Sequence, residues 1–279
     1  MEPGTLIREY LLLGLRFDRI EEGYVDSFTG DPALRQQVQN EPAPDPADLA
    51  AQAERLAAEV PASGLEPARA NYVSAHLRAL ACAGRKFTGH DVGFVDEVEA
   101  YFDVHIAKGD PENYRQAHRR LDDALGGSEP LAERMAAYRA SEEIPPDRLE
   151  EAIHAFSSAL RDRVRAEYPL PDTETITYEV VTDKPWSGFN YYLGDYRSTV
   201  AVNADLKQQM SNLPRLVAHE SYPGHHTEHC RKEAGLVEGK GQTEQTIFLV
   251  NTPQCLMAEG LADLALHAAI GPNWGGWAE

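Results

Sequence analysis

The sequence predicts a mainly α protein: a multi-helix domain with a small antiparallel β-sheet next to its most chemically loaded helix. Three observations carry that reading. Residues 1–168 place apolar side chains at helical period between Pro and Gly breaks. Residues 175–203 switch to alternating β-branched and aromatic side chains, with Gly194-Asp195 between two short runs. Helical spacing returns from Leu213 onward. The doubled break at Pro169 and Pro171 therefore divides the chain into a helical N-terminal region, 1–168, and a region of sheet and motif helices, 169–279.

The elements follow in order. A first helix is expected over 6–28, ending near Thr29-Gly30-Asp31, with a Pro-rich linker over 40–48. Ala-rich helices are expected at 46–59 and 67–86, with Gly64 between them. Another spans 91–106, before Lys108-Gly109-Asp110. Asp110 should cap a helix over 111–125, which Gly126-Gly127 stops. Helices at 129–142 and 146–168 complete this half. Strands are expected at 175–181, 189–193 and 197–203. Asn212 and Pro214 open the motif helix, which should run past Gly224 to about Glu233, where Gly235 ends it. A polar loop, 235–241, and a short helix, 243–250, lead to a last helix over 253–270, capped by Thr252.

Composition narrows the function classes. The chain has 279 residues, 42% hydrophobic, which is ample for a core. Its net charge of −19 argues against a nucleic-acid or anionic-membrane partner. Arg8, Glu9 and Arg16 interrupt the apolar N-terminal segment, so it does not read as a signal peptide. Cys82, Cys230 and Cys255 are too few and too scattered for a disulfide framework, and a cytoplasmic location is expected. Cys230 reads as a buried inert thiol rather than a soft ligand.

The chemistry concentrates in His219-Glu220-Ser221-Tyr222-Pro223-Gly224-His225-His226. Zinc takes neutral imidazoles and a carboxylate oxygen, and a hydrolytic zinc site also needs a base beside its water. This run offers imidazoles and a carboxylate; Glu259, ahead of Gly260-Leu261-Ala262-Asp263, offers the missing oxygen. The spacing is irregular. The usual H-E-x-x-H helix puts its second His at the fourth position after the first, which here is Pro223. In an unbroken helix His225 turns about 240° away from His219, and His226 lies roughly 10 Å along the axis. Either there is no metal site, or Pro223-Gly224 distorts the helix. A local widening of two residues would carry His225 to the ligand position, with His226 as the fallback.

The run H-E-x-x-P-G-H-H, followed by an E-G-x-A helix, resembles the bacterial family called domain of unknown function 885. The likeness extends over nearly the whole chain, including Pro111-Glu112-Asn113-Tyr114-Arg115 and Leu131-Ala132-Glu133-Arg134-Met135. That family comprises mostly helical, predicted gluzincin-like metallopeptidases. The resemblance implies a zinc ion (Zn2+) held by His219, His225 and Glu259, Glu220 as general base, and Asp263 orienting a ligand His. Family members are usually longer. The resemblance therefore also implies a missing C-terminal roof, an open site, and weak or no turnover for a chain of this length, with the zinc site filled or unfilled.

The expected function is a zinc-dependent hydrolase, most readily a metallopeptidase acting on a peptide or other amide. The alternative is a helical protein that keeps the fold without turnover. His229 is expected to be exposed or to stand behind a ligand. Tyr191 and Tyr192 read as packing residues and Arg197 as a surface ion-pair partner, although each could touch substrate. Trp274 and Trp277 are expected to be exposed or to bury against a second copy, making a homo-oligomer.

Overall fold

The computed structural model describes residues 1–278. Helices dominate, and the small sheets lie beside the motif helices, as the sequence predicts. Helix α1 (Pro3–Phe17) is apolar almost all round, with Leu6, Ile7, Leu13 and Phe17 buried, so it forms the centre of a core. It stops eleven residues short of the expected 28. The Asp18 carboxylate accepts from Gly23 N at 3.2 Å and Val25 N at 3.0 Å, offering the backbone a turn in place of another helical one. Strand β1 (Val25–Phe28) follows. Helix α2 (Pro32–Gln39), not anticipated, starts where Asp31 caps Ala33 N at 2.9 Å.

Helices α3 (Pro46–Glu59) and α4 (Pro67–Phe87) stand where the sequence places them. They cross closely because Gly84 has no side chain: a Cβ there would lie 2.8 Å from the Ala50 Cβ. Helix α5 (Phe94–Phe102) is shorter than expected, ending at a left-handed Asp103. Helices α6 (Pro111–Leu125) and α7 (Leu131–Ser141) contribute no buried side chain, and Asp110 caps α6 as expected.

Helix α8 (Pro146–Glu167) leads to β2 (Thr175–Val181), β3 (Gly188–Gly194) and β4 (Arg197–Asn203). The β3–β4 hairpin is antiparallel, as expected, while β2 joins the other edge of β4 in parallel, a mixed pattern that sequence reading did not foresee. Helices α9 (Leu213–Glu220) and α10 (His225–Lys232) then flank the motif bend. The helical path continues as a π-helical segment, Glu233–Glu238, through the expected polar loop.

The short helix expected at 243–250 is a 3₁₀ turn, Thr243–Thr246, and then a strand, β5 (Ile247–Leu249). A brief apolar run suits either state, and pairing with β1 decides it. Arg69 fixes this turn by gripping the fully buried Glu244 at 2.6 and 2.7 Å. Helix α11 (Pro253–Ile270), capped by Thr252, and α12 (Trp274–Ala278) complete the described chain.

Two hydrophobic clusters form. The first gathers α1, α3 and α4 around Leu13, Leu56 and Leu80, and takes in Ile247 and Leu249 of β5. The second joins α8, the sheet, α9 and α11 through Ile153, Val200, Val217 and Leu266. The expected boundary at 168 falls after α8, whose buried face already belongs to the second cluster. Trp274 and Trp277 pack against that cluster, with Trp277 5.9 Å from Phe156, so they are half-buried within the chain rather than exposed. No helix among the described residues is long and apolar enough to cross a membrane.

Candidate metal centre

The motif helix does not run straight. Ser221 N still bonds to Val217 O, but Gly224 N bonds to Ala218 O at 3.0 Å and Thr227 N to Ser221 O at 3.3 Å. Both span six residues instead of four, which is a widening by two. Regular bonding resumes with Glu228 N to Gly224 O at 3.0 Å. The Tyr222–Pro223 peptide is cis. Gly224 is required sterically: a Cβ there would stand well under 3.0 Å from the carbonyl oxygens of Ala218 and His219.

The bend brings His225 to His219. Their Nε2 atoms are 3.1 Å apart. Glu259, from α11, closes a triangle of residues with one carboxylate oxygen facing each ring: Oε2 lies 3.3 Å from His219 Nε2, and Oε1 lies 3.4 Å from His225 Nε2. His219, His225 and Glu259 form a group with the spacing of a metal site. A tetrahedral zinc with bonds of about 2.0–2.1 Å needs ligand atoms roughly 3.3–3.4 Å apart. The donor set and the triangle both fit that ion.

Supporting contacts orient the donors. Asp263 Oδ1 lies 3.3 Å from His219 Nδ1, one helical turn beyond Glu259, and Arg215 donates to the same Asp263 oxygen at 2.9 Å. With Nδ1 facing a carboxylate, His219 turns Nε2 toward the triangle. The two imidazoles hold the Glu259 carboxyl well below the usual carboxylate range. Burial alone would lower the His225 pKa, but Glu259 and the Glu220 charge raise it overall.

Glu220 is 6% exposed and lines a cavity of about 430 Å³ shared with the three residues of the triangle. Burial pushes its pKa up, against the pull of His225 and His219. Its side chain lies against β3, where a Cβ on Gly188 would come within 3.3 Å of Glu220 Oε1. Asn190 fixes the backbone by donating to Glu220 O at 2.6 Å.

His226, the fallback ligand, points the other way. It is fully buried, with Nδ1 2.8 Å from Ser198 Oγ and Nε2 3.1 Å from Glu174 Oε2. His229 is buried rather than exposed; it lines the cavity and stacks on Tyr192 at 4.5 Å. Burial drops its pKa well below the usual histidine value, leaving a neutral ring. Tyr192 donates to Glu233, and exposed Arg197 pairs with Asp195 at 3.3 Å. Cys230 is buried, and burial pushes its thiol up to about 12.

Sequence reading missed Asp26, Phe248 and Glu174. Asp26 and Phe248, from β1 and β5, line the cavity. Burial pushes the Asp26 pKa up to about 6, against the pull of His225 and Lys232. Glu174 is fully buried; burial alone would raise its pKa, but hydrogen bonds from His226, Tyr222, Arg161 and Arg165 hold it at about 2. A depressed carboxyl stabilises the fold above its unfolded value of about 4.5, and that contribution disappears as pH falls toward 2. The expected loss is of order 3 kcal/mol. Urea midpoints measured from pH 5 to pH 2 should drop steeply for the native protein and less steeply for Glu174→Gln; equal slopes would contradict this.

The wall formed by α11 is open. The Glu259 side chain is 53% exposed, and Met257, Leu261 and Leu264 stand out from the same helix. The chain matches no protein-family profile, no curated protein and no solved structure.

Proposed function

We propose that this protein is a zinc-dependent hydrolase of the metallopeptidase kind, with His219, His225 and Glu259 holding the ion. The observation that carries the reading is the triangle of three ligand-type residues, whose nearest facing atoms lie 3.1–3.4 Å apart, beside a buried glutamate. A zinc ion bound there supplies a Lewis acid that polarises a carbonyl and makes water acidic near neutral pH. Glu220 takes the proton of the attacking water and returns it to the departing amine. Its burial and raised pKa suit both steps, because a weaker acid is a stronger base. Asp263 and Arg215 keep the His219 ring in register. Gly188, Phe189 and Asn190 bring β3, an edge strand of its sheet, to the cavity wall. An extended peptide adding to that edge would lay its backbone across the site.

The test is metal uptake followed by turnover. Zinc titration should saturate at one ion per chain, and chelation should remove hydrolysis of a peptide library along with the metal. Glu259→Ala should weaken zinc at least about 100-fold, because it removes a ligand outright rather than one of its supports. Native protein that takes up no zinc would sink the proposal. Zinc uptake with no turnover on any peptide would leave a metal-binding protein without the peptidase activity.

A further inference from the structure

Tyr222 and His226 flank Pro223-Gly224-His225, and both turn away from the cavity into the second core. There they end on one oxygen. Tyr222 Oη donates to Glu174 Oε2 at 2.6 Å, and His226 Nε2 donates to the same atom at 3.1 Å. The other oxygen, Oε1, accepts from Arg161 Nε at 2.7 Å and Arg165 Nε at 2.9 Å, both on α8. The same guanidinium groups reach the carbonyls of Glu174 and Pro171, each at 3.2 Å, so they hold the segment before β2 as well as its side chain. Ser198 on β4 pins the second nitrogen of His226.

A buried carboxylate is costly unless fully paired, and a well-packed apolar group is often as stable. What this network adds is position. The bend contains two six-residue backbone bonds, at 3.0 and 3.3 Å, in place of regular helix bonding. Its backbone alone constrains it weakly, whereas a shared oxygen ties the residues on either side of it to α8 and the sheet. A metal site needs its donors within about 0.5 Å of the required geometry.

We infer that Glu174 is a positioning residue for the metal centre: its carboxylate staples the two arms of the bend and so sets where His225 Nε2 stands relative to His219 Nε2. Glu174 touches none of the three ligand residues, and its effect passes through Tyr222 and His226. The inference rests on the metal-centre reading above.

The experiment measures zinc affinity of the full chain by chelator competition, with the visible spectrum of the Co2+-loaded protein as a report of ligand geometry. Glu174→Gln keeps the shape and removes the charge. Zinc affinity should fall about 10- to 100-fold, the range seen when supports of metal ligands are lost. The cobalt bands should shift in position or intensity. Tyr222→Phe removes one arm of the staple and should lose about 3- to 10-fold. It also decides the matter if Glu174→Gln does not fold. Leu56→Ala, buried in the first core, serves as the stability control: it should lower the melting temperature while leaving zinc affinity and the cobalt spectrum unchanged. Glu174→Gln and Tyr222→Phe proteins that bind zinc like the native chain overturn the inference and leave the metal centre standing. A native chain that binds no zinc overturns both.

Discussion

Gly224→Ala should destroy the metal centre, lowering zinc affinity by at least about 100-fold and stability by more than about 3 kcal/mol. The new Cβ would collide with the carbonyl oxygens of Ala218 and His219, which are backbone atoms of α9 itself. No side-chain rotation relieves that clash. The arms α9 and α10 must separate, and the Nε2 atoms of His219 and His225, now 3.1 Å apart, separate with them. Zinc titration and urea unfolding of the variant check both halves. An alanine variant with native zinc affinity would show that the bend can form without glycine.

Glu220→Gln should behave in the opposite sense: the metal stays and the chemistry goes. The amide keeps the side-chain shape against Gly188 and is not among the three ligand-type groups. It cannot accept a proton as a carboxylate does. Turnover should fall about 10²- to 10⁴-fold, the usual worth of general acid–base catalysis, with zinc affinity within about twofold of native. Full activity in this variant would remove Glu220 from the mechanism.

Much of the site was legible because its signals are local. Proline at the normal ligand position, followed by glycine, leaves a two-residue widening as the way to bring the motif histidines together. The backbone contains that widening. Glu259 and Asp263 share a helix face by their spacing alone, and both reach His219. What was not legible depends on distant contacts. Ile247-Phe248-Leu249 has no periodicity of its own and becomes a strand because β1 lies beside it. Asp26 enters the cavity through that same pairing. Glu174 precedes a strand in an ordinary polar turn, and nothing near it in sequence marks it as the buried hub on which four side chains meet. Of the two readings of His229, the exposed one fails because its burial comes from Tyr192 and Phe248, on two other elements. The helical N-terminal half was legible where caps and prolines punctuate it, and failed at Asp18, whose side chain competes for the backbone.

The pairing of β1 with β5 has a further consequence, for the chain during its synthesis. Thr29 and Thr246 bond across a separation of 217 residues. Ile247 and Leu249 sit directly against Gly14 in the middle of α1, where a Cβ would already be too close. At a translation rate of roughly 5–20 residues per second, about 12–46 s pass between the emergence of α1 and of the strand that covers it. For that interval the helix that contributes the most buried residues to the first core has an uncovered side. A chaperone that captures short apolar segments would find its target there, on ribosome-bound chains, before β5 leaves the exit tunnel.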